Sequence, residues 1–185
     1  MDILMTGYVA VGGISCILNY YENELNKVLP GSLINSVKKV ISDYKDTAWI
    51  PEKIQDSGYD AIVYKAGEGG IYKALWDVAE EYGIHGLSVN LKDMTIKQEF
   101  IEISEYFNIN PYMLNAEGSY IIVSEHGNSI CRYLQDEGIV CAVIGYTTGN
   151  NDRVIVNNEE IRYIDSRIKD ELTKLEGLDD ERKDS

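Results

Sequence analysis

The stretch YKAGEGGIYKALWDVAEEYG, residues 64–83, decides how the chain is read. It begins in the apolar run AIVY (61–64), which reads as a strand. It ends in a stripe of Ile71, Leu75, Val78, Ala79 and Tyr82 at spacings of three and four, which predicts one face of an amphipathic helix. Gly83 is placed as the cap of that helix. Between strand and helix lies Lys65-Ala66-Gly67-Glu68-Gly69-Gly70. Such a loop has two uses. It can hold an anion on free backbone N–H groups and the positive end of the helix dipole, with Lys65 and Lys73 adding charge. Or it only turns the chain tightly, with Glu68 as a helix-start residue. No GK[ST] ends the loop, and it is not GxGxxG. A carboxylate at Glu68 already satisfies the dipole and opposes an anion. Spacing alone favours the turn.

The rest of the chain alternates in the same way. DILMT (2–6) reads as a strand. A long helix follows, with Val11, Ile14, Leu18, Leu25 and Val28 on one face and Tyr21 between them. Gly12 and Gly13 fall early in it, which predicts either a late helix start or a close backbone approach. Pro30-Gly31 ends it. Helices are expected over 32–44 and about 49–55, the second with Pro51 in its first turn. HGLSVNL (85–91) reads as a strand, about 97–107 as a helix, SYIIVS (119–124) as a strand and 127–137 as a helix. The strand IVCAVIGYT (139–147) follows, and then RVIVN (153–157) and IRYI (161–164) as hairpin partners. In the charged tail from Asp165, SRIKDELTKL is expected as a surface helix and LDDERKDS as disordered. This order predicts one α/β or α+β domain.

Bulk composition narrows the function. The 185 residues carry 17 basic and 31 acidic side chains, a formal charge of −14. Such a surface repels nucleic-acid backbones and anionic lipid. No apolar run approaches the length of a membrane span, and MDILMTGYVAVGG does not resemble a signal peptide, so a cytoplasmic protein is expected. Cys16, Cys131 and Cys141 sit in apolar surroundings and read as buried reduced thiols. His85 and His126 have no ligand at metal spacing, so no metal site is expected. Glu117, in NAEG before a buried strand, either faces a cleft or caps the turn. The 14 tyrosines read as half-buried packing or interface residues.

Three segments in order, EGGIYKALWDVAEEYGIHGLSV, FNINPYMLNAEGSYIIVS and GIVCAVIGYTT, resemble the C-terminal domain of the aminoimidazole ribonucleotide (AIR) synthetase superfamily. That superfamily includes AIR synthetase, selenophosphate synthetase, thiamine-monophosphate kinase and the carbamoyl-dehydrating hydrogenase maturation factor. The resemblance is nearest to the maturation factor and the AIR synthase-related proteins. The opening ILMTGYVAVGGISCIL fits as well. The resemblance covers about residues 2–165, leaving 166–185 as a charged tail, and it implies an α+β fold with one mixed sheet backed by helices.

In that family an N-terminal half binds ATP and Mg²⁺, and the two halves together activate an amide or related oxygen as a phosphate ester. Met1 falls where the C-terminal domain begins, so the resemblance leaves this chain without the ATP-binding half. Where relatives carry an acidic residue, a hydroxyl residue and, in the maturation factor, an arginine, this chain has Lys65, Gly67 and Glu68, while Gly69 and Gly70 are kept. The expectation is a preserved fold with the original chemistry lost. The chain would be a non-catalytic ligand-binding or interaction module and a homo-oligomer, such as a homodimer, with no cofactor in isolation. The alternative is half of a split enzyme, completed by a separate ATP-binding subunit that brings ATP and Mg²⁺. Candidate anion- or nucleotide-binding residues are Lys65, Gly67, Glu68, Gly69, Gly70 and Glu117.

Overall fold

The computed structural model describes residues 1–44 and 47–175. Among these residues seven strands form one sheet: β1 (Asp2–Thr6), β2 (Ala61–Lys65), β3 (Gly86–Asn90), β4 (Tyr120–Ser124), β5 (Cys141–Thr148), β6 (Arg153–Asn157) and β7 (Glu160–Tyr163). Their order across the sheet is β2-β4-β1-β5-β3-β6-β7. Only β3 and β6 pair in parallel; the other neighbours are antiparallel. The expected β6–β7 hairpin is present, with Val154 opposite Tyr163.

Alternation along the strands sorts the core into two layers, as a two-residue period must. Ile3, Met5, Ile121 and Val123 face one side, and Leu4 and Ile122 the other. On the first side lie α1 (Val11–Val28), α2 (Gly31–Ser42), α4 (Gly70–Glu81) and α5 (Gln98–Tyr106), supplying Ile14, Val37, Leu75 and Phe100 to the core. On the second lie α3 (Ile50–Asp56) and α6 (Gly127–Asp136), with Ile50, Ile54, Ile130 and Leu134. The chain is an α+β domain: a mixed sheet with helices on both faces.

Most elements follow the periodicity that predicts them, with three differences. Val28 and Tyr82, assigned to apolar stripes, are about half exposed, Val28 as the last residue of α1 and Tyr82 as the C-cap of α4. Gly12 and Gly13 lie inside α1, which starts at Val11, so the close approach is the correct alternative. Gly13 N–H donates to Asn115 O at 2.8 Å, and a Cβ on Gly13 would stand 2.3 Å from Leu114 Cγ. The third difference is the tail. SRIKDELTKL is no surface helix: it holds a single 3-10 turn at Glu171–Lys174. Asp170, Glu171, Leu172 and Leu175 are buried, and Leu172 and Leu175 join the larger core. The segment LDDERKDS lies outside the described residues.

Candidate functional site

The glycine loop leaves β2 and enters α4 as a tight turn. Gly69 and Gly70 both have positive φ, +77° and +67°, which L side chains adopt only with strain. Gly70 is also crowded: a Cβ there would fall 2.5 Å from Tyr112 O and 2.7 Å from Leu114 O. The turn is closed internally, since Gly67 O accepts from Gly70 N–H and from Ala116 N–H, each at 3.1 Å. Ala66 N–H donates to Ser119 O at 2.9 Å. The loop is thereby fastened to the 114–119 segment that leads into β4.

A carboxylate does meet the start of α4, and it comes from the tail. Asp170 Oδ2 accepts the Gly69 N–H at 2.9 Å. Its Oδ1 accepts the Leu172 N–H at the same distance, which starts the 3-10 turn. Glu171 Oε2 accepts from Asn110 N–H at 3.2 Å and pairs with Lys174. Glu68, assigned to the dipole from sequence, is exposed in the loop and is not in the first turn of α4. Asp170 holds the place proposed for Glu68, because Leu172 within the turn and Leu175 just after it anchor the tail in the core.

The cationic candidates meet carboxylates of this chain. Lys65 Nζ lies 3.7 Å from Glu117 Oε1, both side chains well exposed, so water and salt screen the pair. This contact places Glu117 at the surface beside the loop. The turn that Glu117 was considered to cap is held instead by Asn115, whose Oδ1 accepts the Glu117 N–H at 2.8 Å. Lys73 pairs with Asp77 at 2.5 Å, and its aliphatic stem covers Gly69. Gly67 stands open, with nothing within 4 Å of a Cβ built on it. Sequence candidates Lys65, Gly67, Glu68, Gly69, Gly70 and Glu117 therefore do lie together, at one end of the sheet. The residue that sequence reasoning missed is Asp170. Its one signal was the spacing of Ile168, Leu172 and Leu175 within a charged run.

Beside the loop, Tyr72 stacks on Tyr112 with ring centroids 5.3 Å apart and planes 13° from parallel. Burial, reinforced by Tyr112, pushes the Tyr72 phenol up to about 12. Among the described residues no group of three or more His, Cys, Asp or Glu can hold a metal ion. Cys16, Cys131 and Cys141 form no disulfide; Cys131 and Cys141 are buried as expected, whereas Cys16 is only half-buried. No helix of the described residues is long and apolar enough to cross a membrane.

No protein-family model matches the chain. No curated protein matches it either. Solved structures do. Escherichia coli HypE superposes with a TM-score of 0.73 at 16% identity, over 94% of this chain and 52% of that one. HypE in its complex with HypF gives 0.69 at 16% identity, over 89% and 52%. Thiamine-monophosphate kinase from Stenotrophomonas maltophilia K279a gives 0.59 at 12% identity, over 86% and 50%. HypE, a hydrogenase maturation protein, and thiamine-monophosphate kinase belong to the AIR synthetase superfamily. The likeness establishes the fold, that of the AIR-synthetase-like C-terminal domain. The chain spans about half the length of the structures it matches.

Proposed function

We propose that this chain is a non-catalytic ligand-binding or interaction module built on an AIR-synthetase-like domain. One observation carries the reading: the N–H of Gly69, which an anion at the start of α4 would take, is bonded by the buried carboxylate of Asp170. A phosphate arriving there meets a carboxyl group already seated on that N–H and must displace a segment whose leucines are in the core. Lys65, the cation nearest the loop's entry, faces Glu117. The expected result is that calorimetric titration with ATP·Mg²⁺, and separately with inorganic phosphate, shows no binding that Lys65→Ala weakens, and that the purified chain does not hydrolyse ATP. Binding that Lys65→Ala weakens would make the loop a working site and overturn the reading.

A second reading draws on chain length. HypE is about twice as long as the stretch it shares with this chain, and it has been crystallised in complex with HypF. On this reading the chain is one half of a split ATP-dependent enzyme, and a separate subunit brings ATP and Mg²⁺ to a shared cleft lined by Lys65, Glu68, Gly69 and Gly70. ATPase activity that appears only when a co-purifying subunit is added back would establish it. A homodimer serves the first reading, and sedimentation of the purified chain over a range of concentrations distinguishes the two assemblies.

A further inference from the structure

A cavity of about 380 Å³ opens near the same end of the sheet, between α2 and the turn that follows β1. Its walls are the rings of Tyr8 and Tyr44 and the aliphatic side chains of Val40 and Ile139. Lys39 and Lys97 line it too. Among the described residues neither ammonium lies in a salt bridge, in a chain with 31 acidic residues against 17 basic ones. Lys97 Nζ stands 4.6 Å from the centre of the Tyr8 ring, which holds it in the wall by a cation–π contact. One carboxylate, Asp43, also lines the cavity. The nearby Glu99 accepts the Ser36 hydroxyl at 2.6 Å, a bond that holds its carboxyl below the usual range.

Three hydroxyls around the cavity, those of Ser36, Tyr44 and Thr47, are engaged by the chain itself. Tyr44 O–H donates to Gly118 O at 3.1 Å and Thr47 O–H to the same oxygen at 2.6 Å. These bonds fix the Tyr44 ring as a rigid wall, and burial pushes its phenol up, so it stays neutral. Among the described residues that line the cavity, two ammonium groups stand against one carboxylate, with Lys97 also close enough to Glu99 to act on its charge, beside an apolar, aromatic body. The volume falls in the range of small-molecule sites, about 300–1,000 Å³.

We infer that this cavity binds a small organic anion: a phosphate or carboxylate group held by Lys39 and Lys97, carried on a planar or apolar body that lies against Tyr8, Tyr44, Val40 and Ile139. The inference rests on the reading of the chain as a binding module, but on residues that reading does not use. Binding of ATP·Mg²⁺ that Lys65→Ala weakens overturns the module reading; a silent cavity overturns this site alone.

The test is a titration of the methyl-labelled chain followed by NMR at Val40 and Ile139. The probes are phenyl phosphate, benzoate and neutral benzyl alcohol. Saturable shifts at these methyls with at least one anion, and weaker or none with benzyl alcohol, are the expected result. The tighter of phenyl phosphate and benzoate identifies the anionic group. Lys39→Gln and Lys97→Gln each weaken binding by about tenfold, the loss expected for one charged hydrogen bond. Lys97→Arg restores it, and Lys65→Gln leaves it unchanged. Absence of saturation up to about 10 mM of either anion, equal affinity for benzyl alcohol, or indifference to both Lys→Gln changes would overturn the site.

Discussion

Gly67 and Gly70 lie in one loop, and a methyl group would mean opposite things to them. At Gly70 the backbone has φ +67°, and the added carbon would press on the carbonyls of Tyr112 and Leu114. Backbone oxygens cannot step aside as the end of a flexible side chain can. The left-handed conformation alone costs a non-glycine residue about 1–2 kcal/mol. Gly70→Ala is therefore expected to destabilise the chain by at least about 2 kcal/mol, read from urea unfolding midpoints. At Gly67 nothing stands within 4 Å, and Gly67→Ala should change stability by less than about 0.5 kcal/mol. Equal effects at the two positions would mean that the loop does not hold the conformation described. The same contrast explains why the sequence could not rank these glycines. Spacing marks a turn, but the crowding at Gly70 comes from carbonyls more than forty residues away in the chain.

Elements set by local periodicity were legible in the sequence, and those set by distant contacts were not. The stripe at Ile71, Leu75 and Val78 defines α4, and the alternation in RVIVN defines β6, because burial of one face needs only the residues within the element. Strand order is not local, and neither is the destination of the tail. A run such as SRIKDELTKL reads as solvated because its charge density is high, yet two of its carboxylates are buried with backbone N–H groups as partners. The tail is thus a clasp, and its strength can be measured. Asp170→Ala leaves the Gly69 and Leu172 N–H groups without their acceptor. Buried donors left in that condition cost about 1–3 kcal/mol. The expected outcome is a loss of that size in unfolding free energy, with faster amide exchange at Gly69. Unchanged exchange at Gly69 would show that the clasp does not protect the start of α4. The candidate site was legible as a place, since its six residues do gather at one end of the sheet, but its occupant was not.

Across the whole molecule, tyrosines couple the fold to alkaline pH. Burial is the largest cause raising the phenols of Tyr44, Tyr64, Tyr72 and Tyr112, the third to about 12. A phenol raised in the folded state keeps its proton there after the unfolded chain has lost it. Its stabilisation is complete below pH 10, the ordinary phenol value, and falls as pH climbs towards 12. Ionisation would also add to a net charge already at −14. Urea midpoints should therefore be flat with respect to these groups below pH 10 and decline above it. Tyr72→Phe should shallow the decline, and an unchanged slope would remove Tyr72 from the account. The clasp has one more consequence, which concerns synthesis. Gly69 and its partner Asp170 are 101 residues apart. At about 5–20 residues per second, α4 emerges from the ribosome several seconds before the carboxylate that closes it. During that interval its first turn is exposed to water and to any chaperone or anion that reaches it, so the last step in ordering this end of the domain must follow translation of the tail.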